Sequence, residues 1–292
     1  MLLKPSWQLS ATLTVLLVGA WLTLTLLRRA PGWRAFAREF SIVTGLLGLW
    51  QYVGRLVRTR SEGAFRRAHG IEDLQARLHL PSELSLQHAV LGHPLLVQAM
   101  NVYYATAHLN GMGLFLLWVW WMHRRRERVG DETAFRRVRN TVAATTLICL
   151  LVQMVPVAPP RLLPGYVDTA LEYGQSVYGT YNDGLAAQLT AMPSVHVAWA
   201  FIVAWYVAEF APRRWKWVGA LHLVLTVLVV AATANHWWMD GIVAIGITGG
   251  VLAVQYGVRR LQRYQKSSGS RPALNPAAST MSTATSNSAP TR

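Results

Sequence analysis

Residues 217–257 read WVGALHLVLTVLVVAATANHWWMDGIVAIGITGGVLAVQYG, two long apolar runs separated by one short polar segment. The polar segment, NHWWMD, covers residues 235–240, and Asp240 is the only acidic residue after Glu209. His236 and Asp240 are four residues apart, so on a helix they would share one face, one turn apart. A carboxylate beside an imidazole next to lipid is costly, so the pair indicates a functional site.

The composition of the whole chain is that of a membrane protein. Of its 292 residues, 52% are hydrophobic and only 14% are charged. Several apolar runs reach or approach the roughly 20 residues needed to cross a bilayer. We therefore predict an all-α fold, a polytopic membrane helix bundle with about six to seven transmembrane helices. The predicted spans are 11–27, 102–122, 141–156, 193–209, 217–234 and 239–257, and the run at 40–54 either spans or lies in the interface.

The chain carries a net charge of +15, mostly from arginine. In a soluble protein this charge would indicate nucleic acid. Here the arginines follow the ends of apolar runs, which is typical of topology signals and of contacts with anionic headgroups, so no nucleic-acid partner is predicted. The single cysteine, Cys149, lies inside an apolar run, so neither a disulfide framework nor a cysteine metal site is expected.

Three regions are predicted along the chain. Residues 1–80 form an N-terminal membrane anchor, of one or more helices, with an Arg-rich loop, and residues 81–262 form the catalytic membrane core. Residues 263–292, rich in Ser, Thr, Ala and Pro, are predicted to be a disordered cytoplasmic tail. The first apolar run has a signal-peptide alternative, but no small-residue cleavage site precedes Arg28-Arg29, which favours a retained anchor.

Basic residues predict the orientation of the bundle. Segment 123–139 carries seven arginines, segment 211–216 three basic residues and segment 259–271 five, so all three are predicted to be cytoplasmic. The alternation of spans then places residues 158–190 and the turn at 235–238 outside.

This orientation brings three candidate residues to one face. Arg161, His196 and His236 are predicted at the outer ends of helices, facing outward from a bacterial plasma membrane, with the C-terminus in the cytoplasm. The Arg-rich stretch at 55–77 would also be outside on the simplest count, against the positive-inside rule.

The chemistry of these helix ends suits phosphoryl transfer. His236, oriented by Asp240, is a good nucleophile, because the carboxylate fixes the tautomer and stabilises the imidazolium. His196 can protonate a leaving group, and Arg161 offers a fork of donors suited to phosphate. Ser194 can cap a helix or donate to an oxyanion. The set predicts transfer through a phosphohistidine with no metal or other cofactor.

The motifs APPR at 158–161, MPSVH at 192–196 and HWWMD at 236–240 together resemble the type-2 phosphatidic acid phosphatase superfamily. They look most like its inositol-phosphotransferase branch, which includes the fungal inositol phosphorylceramide synthase and many actinobacterial membrane proteins. The resemblance covers roughly residues 80–260. It implies that His236 is the phosphorylated nucleophile, Asp240 its orienting carboxylate and His196 the general acid, with Ser194 and Arg161 as phosphate ligands.

The sequence departs from the phosphatase branch in two places, and the second departure favours the inositol-transferase branch. No lysine lies between Lys4 and Lys216, whereas the phosphatase branch usually has one well before the first arginine. Residues 229–234 read VVAATA where that branch has a Ser-Arg pair, and the inositol-transferase branch also lacks this arginine. How the phosphate is fully neutralised stays open, with Asn235, Tyr166 and His93 as candidate donors.

The implied partners are membrane lipids and a hydroxyl acceptor. The donor would be a phospholipid or a lipid-linked phosphate, and the acceptor water or a small polyol such as inositol. Between these the sequence does not decide. A different class of function, a proton-coupled transporter or flippase that uses the His-Asp pair, also fits a buried pair of this kind.

Several residues have a second interpretation. His196, His236 and Asp240 could instead hold Zn²⁺ as two histidines and a carboxylate. Arg161 could mark a helix end at the headgroups. His108 and His222, inside predicted spans, are more typical of packed interior residues. His88 and His93 either line the mouth of the site or face headgroup water.

Overall fold

The computed structural model describes residues 6–57, 62–126, 133–174 and 188–269. These residues form helices and no strand, which confirms the all-α prediction. The α-helices are α1 (Trp7–Leu26), α2 (Pro31–Val57), α3 (Ala64–Arg77), α4 (Glu83–Leu91), α5 (Pro94–Arg126), α6 (Thr133–Val152), α7 (Thr169–Glu172), α8 (Val195–Phe210), α9 (Lys216–Ala232) and α10 (Trp238–Gly269). Short 3-10 turns cover Pro160–Leu162 and Arg213–Trp215.

The chain divides into two compact units. The first is Met1–Leu252 and contains every candidate site residue. The second is Ala253–Arg292, whose described part is the end of α10 with exposed Leu261 and Tyr264. The predicted disordered tail lies outside the described residues from position 270 onward.

Within the described part of the chain, three segments are long and apolar enough to cross a membrane: Trp7–Leu26, Arg213–Ala232 and Trp238–Gln262. They coincide with three of the predicted spans. Helix α8 is also apolar but is shorter, at 16 residues. These helices, with many large apolar side chains exposed on their surfaces, identify a membrane protein.

Helices α1 and α2 pair through polar groups. Ser10 donates to Gln51 across the pair at 2.8 Å, and the Thr14 hydroxyl donates to that of Thr44 at 2.9 Å. Hydrogen bonds of this kind hold membrane helices together, because the polar groups have few other partners in an apolar surrounding. They explain Gln51, the polar residue in the run at 40–54, which is part of the longer helix α2.

The predicted span at 102–122 is part of a longer helix, which follows a short one. Ser82 caps α4 by accepting from the Ser85 N–H at 3.3 Å, but α4 ends at Leu91 and α5 then runs from Pro94 to Arg126 as one helix. Pro94 sets the break, because proline lacks an N–H and disfavours helical geometry in the preceding residue.

The antiparallel pair of α8 and α9 positions the site. A Cβ on Gly219 of α9 would lie 2.9 Å from the Ala204 Cα of α8, so only glycine permits this close approach. Because the two helices run in opposite directions, the start of α8, with Ser194 and His196, lies at the same end of the bundle as the end of α9. The next segment in the chain is the turn with His236.

Candidate active site

His236 lies in the turn between α9 and α10, not on a helix as its spacing from Asp240 predicts. Ala234 has a φ of 53°, in the left-handed region. The N–H groups of Asn235 and His236 both donate to the Val230 carbonyl, at 3.0 and 3.1 Å. This bonding is typical of a helix end, and it turns the chain into α10 two residues later. Asp240 then reaches back to His236 from the first turn of α10.

The two ring nitrogens of His236 have different surroundings. Its Nδ1 lies 2.8 Å from the Ala191 carbonyl oxygen and 3.2 Å from Asp240 Oδ2. Both partners accept, so Nδ1 carries the hydrogen and Nε2 of the neutral ring bears the lone pair. Asp240 is fully buried and also accepts from the Trp237 N–H at 2.9 Å. The carboxylate is thus held against the imidazole by the backbone of the same turn.

His196 approaches the other nitrogen of His236. The His196 Nδ1 lies 3.2 Å from the His236 Nε2. The ring of Tyr104, on α5, packs against His196 with 4.5 Å between ring centroids. The two histidines predicted to share a face of the membrane are therefore in direct contact. A phosphoryl group entering the site must separate these two nitrogens, since they are hydrogen-bonded to each other.

Ser194 is the N-cap of α8 and is completely buried. Its Oγ accepts from the Val197 N–H at 3.3 Å, and its own N–H donates to the Asp240 carbonyl at 3.2 Å. The first bond caps the start of α8, and the second connects α8 to α10. The hydroxyl hydrogen is not used by the cap, so it can serve an anion at this helix N-terminus.

Arg161 is buried beside the turn that carries His236. Its backbone N–H donates to the Ala234 carbonyl at 2.9 Å, and its side-chain Nη1 donates to Asn235 Oδ1 at 3.0 Å. The guanidinium also pairs with Asp168 at 3.1 Å and with Gln188 at 3.1 Å. It therefore lies on a buried 3-10 turn, not at an exposed helix end. A bound phosphate would share this cation with Asp168.

The structure reveals two site-positioning residues that the motifs miss. Glu83 on α4 accepts from the Trp238 N–H at 2.8 Å, and Gln75 on α3 accepts from the Met239 N–H at 2.8 Å. Gln75 also donates to Glu83 at 2.8 Å. The pair accepts from N–H groups at the start of α10 that have no backbone partner within that helix. Burial raises the pKa of Glu83 above its ordinary value of 4.5, although the Trp238 N–H opposes this rise.

Amide side chains hold the loop that follows Arg161. Gln87 exchanges two hydrogen bonds with the backbone of Val167, each at 2.9 Å. Asn101 donates to the Thr169 carbonyl at 2.9 Å. Both amides are buried in otherwise apolar helices. An amide residue within an apolar run could therefore have indicated these loop contacts from the sequence, because a buried amide needs a polar partner.

The three other candidates for hydrogen-bond donors to the phosphate lie in different parts of the structure. Asn235 is beside Arg161 and donates to Thr233 at 2.9 Å. Tyr166 packs edge-on against Trp237, and burial raises the pKa of its hydroxyl, with Glu83 adding to the effect. His93 is exposed at the junction of α4 and α5.

The zinc interpretation requires side chains that point at a common centre. Among the described residues, no group of three or more His, Cys, Asp or Glu side chains is arranged to hold a metal ion. The physical reason is visible at His236, whose Nδ1 faces Asp240 while its Nε2 faces His196. The three groups form a chain of contacts instead of converging on one point.

Two further histidines lie near the pair. His108 is buried on α5, with its ring 4.5 Å from that of His196. His222 on α9 is partly buried, and its Nδ1 lies 2.7 Å from the Tyr103 hydroxyl. His88 is exposed on α4.

Comparison with known proteins identifies the family. The family model of the PAP2 superfamily matches residues 69–254, more than half of the chain. The match includes all five motif residues, and also Gln75 and Glu83. No curated protein and no solved structure matches the chain. The protein therefore belongs to the PAP2 superfamily, whose members act as phosphatases or phosphotransferases on phosphate esters.

Proposed function

We propose that the protein is an integral membrane phosphotransferase or phosphatase that acts on lipid or lipid-linked phosphate esters through a phosphohistidine on His236. The contact that supports this most directly is that of His236 with its two neighbours. Nδ1 bonds to Asp240 while Nε2, 3.2 Å from His196, bears the lone pair. An orienting carboxylate, a nucleophile and an acid are thus joined by direct contacts, in that order.

In the first step the lone pair of His236 Nε2 attacks phosphorus. The bond from phosphorus to the leaving oxygen breaks and its electron pair stays on that oxygen. His196, protonated while the anionic phosphate is bound beside it, supplies the hydrogen. In the second step an acceptor hydroxyl attacks the phosphohistidine and gives its hydrogen to His196, while the P–N bond pair returns to His236. The protons balance over the cycle, and no step uses a metal ion.

The membrane position favours a lipid donor. The candidate spans at Arg213–Ala232 and Trp238–Gln262 end and begin on either side of the His236 turn. A residue between two spans lies at the level of the headgroups, where a lipid phosphoester can arrive laterally. We place the site on the outer face of a bacterial plasma membrane, with the C-terminus in the cytoplasm, from the distribution of arginines.

The inositol-phosphotransferase branch is the assignment that the motifs favour. Residues 229–234 read VVAATA and contain no arginine. Without that arginine, Arg161 and its neighbour Asn235 would contact the phosphate. Ser194 would donate a further hydrogen bond from the start of α8. The catalytic core is residues 81–262, to which α3 adds Gln75.

The test is transfer of label from a panel of ³²P-phospholipids to the purified protein, with and without inositol. We expect acid-labile label on the protein, and then in inositol lipid, inositol phosphate or free phosphate. His236→Ala should abolish the label and His196→Ala should slow its formation strongly. The matched control is His88→Ala, a change at an exposed histidine on α4, which should behave as wild type.

Full activity of either catalytic variant on every lipid phosphate would disprove the mechanism. Movement of lipid across proteoliposomes without release or transfer of phosphate would instead favour the transporter class.

A further inference from the structure

Among the residues that the structure describes, His108 has a hydrogen-bond partner for one ring nitrogen and none for the other. The His108 Nδ1 lies 3.1 Å from the Tyr104 carbonyl oxygen, one turn back on α5. A carbonyl only accepts, so Nδ1 carries the hydrogen. A buried imidazole with no carboxylate beside it is neutral, which leaves Nε2 as a bare acceptor. Among the described residues, nothing donates to this atom, although the residue is only 5% exposed.

This unused acceptor lies beside the reacting pair. The rings of His108 and His196 are 4.5 Å apart between centroids and nearly perpendicular, at 81°. Tyr104 contacts the same His196 ring and lies 6.5 Å from the ring of His236. Because Nδ1 of His108 faces its own helix backbone, Nε2 on the other side of the ring points away from α5.

His222, the other histidine near His108, already has a hydrogen-bond partner. Its ring is 6.4 Å from that of His108, but its Nδ1 already bonds to the Tyr103 hydroxyl at 2.7 Å. Buried acceptors in folded proteins normally have a donor. Of the two neighbours, His108 is the one that still requires one, and it is the one in contact with His196.

We propose that His108 Nε2 accepts a hydrogen bond from the acceptor substrate, and that this acceptor carries two O–H hydrogens side by side. The inference rests on the proposed function. One hydrogen goes to His196 when the acceptor oxygen attacks phosphorus, so it cannot serve His108. The second comes from a neighbouring hydroxyl of a vicinal polyol or from the other hydrogen of water. His108 thus binds and orients the acceptor and takes no proton.

The experiment separates the two chemical steps. Protein is loaded with ³²P from a lipid phosphate, separated from the lipid, and chased with water alone, with inositol, or with cyclohexanol, which has a single hydroxyl. His108→Leu removes the acceptor atom at similar size, and His108→Gln restores one near the Nε2 position. His222→Leu is the matched control. Free phosphate and phosphoester products are measured separately, which distinguishes water from a polyol as the acceptor.

We expect His108→Leu to load like wild type but to lose its label about 10- to 100-fold more slowly to water and inositol, with any preference for inositol over cyclohexanol removed. His108→Gln should recover much of the rate, and His222→Leu should match wild type. Chase rates of His108→Leu equal to wild type would overturn the inference. Equal slowing of loading and chase would also overturn it, because a packing role would affect both steps.

A binding measurement keeps the inference separate from the proposed function. If wild-type protein forms no phosphohistidine, the proposed function fails. Inositol binding to the unmodified protein then decides the role of His108. Binding that is lost in His108→Leu and kept in His222→Leu supports the inference. Inositol binding that is unaffected by His108→Leu overturns it.

Discussion

At the scale of single residues, two acceptors share the Nδ1 hydrogen of His236. Ala191 O lies closer to it than Asp240 Oδ2 does, at 2.8 against 3.2 Å. A backbone carbonyl keeps its acceptor character in any side-chain variant. The tautomer of His236 is therefore set by the backbone as well as by the carboxylate. In the proposed mechanism, the separate contribution of Asp240 is its negative charge, which would stabilise the positive ring formed when His236 binds phosphorus.

This division predicts a moderate effect for Asp240→Asn. The amide oxygen can still accept from the Trp237 N–H and keep the turn folded, and Ala191 still holds the tautomer. Only the charge is lost, so we expect phosphohistidine formation to slow by about 10- to 100-fold, less than the complete loss in His236→Ala. Rapid-quench measurement of label on the protein gives the rate. A folded Asp240→Asn as inactive as His236→Ala would show that the carboxylate alone sets the tautomer.

At the scale of elements, the start of α10 depends on two other helices. Its first N–H groups lack partners within the helix, and Glu83 of α4 and Gln75 of α3 supply them. Asp240 lies in this same first turn. A shift of the helix start would carry Asp240 away from His236, and small misplacements of catalytic groups are expensive in rate.

We therefore predict that Glu83→Ala lowers kcat roughly tenfold to hundredfold with little change in KM, since Glu83 acts through α10 and not on the substrate. Glu83→Gln retains an acceptor oxygen for the Trp238 N–H and should recover most of the rate. Steady-state kinetics on a lipid phosphate in detergent provides both constants. A change confined to KM, or no recovery by glutamine in a folded protein, would contradict the positioning role.

The pH dependence of stability follows from the same residue. Burial raises the pKa of Glu83 in the folded state above its ordinary value of 4.5. The folded protein therefore holds this proton more tightly than the unfolded chain does. Stability from this group is present at low pH and falls as the pH rises from about 4.5 through the raised pKa. Thermal unfolding of wild type against Glu83→Gln should show wild type losing relative stability across that interval, and a constant difference would contradict it.

At the scale of the whole molecule, the ends of α9 separate basic residues from the site. Arg213 and Arg214 precede the helix and are exposed, while the His236 turn follows it. Helix α9 has 17 residues, so it is about 25 Å long at ~1.5 Å per residue. The basic turn and the site are thus at opposite ends of a candidate membrane span, which agrees with one being cytoplasmic and the other outside.

Labelling of intact cells tests this orientation. His88→Cys, at an exposed position on α4, should react with a membrane-impermeant maleimide from outside. Arg214→Cys should react only after permeabilisation. The native Cys149 is buried and should stay unlabelled, which provides the background. Reaction of both cysteines from the same side would contradict the predicted orientation, as would labelling of His88→Cys only after permeabilisation.

Much of the architecture could be predicted from the sequence, because it depends on local chemistry. Apolar runs at 11–27, 217–234 and 239–257 correspond to the segments able to cross a membrane, since crossing depends on length and polarity. The cap at Ser194 was also predicted, because capping joins residues only three apart. The break before α5 was encoded locally too, by Pro94, but the surrounding apolar pattern obscured it.

The sequence by itself determined an all-α membrane protein, its family motifs and the residues His196, His236 and Asp240. Only the tertiary structure decided the contacts among them and their support. The His196–His236 contact joins residues 40 apart, and the bond from Trp238 to Glu83 joins residues 155 apart. Such pairs depend on how the helices pack, which local periodicity does not encode. The acceptor on His108 that no described residue contacts also depends on the packing of several helices, which the sequence does not show.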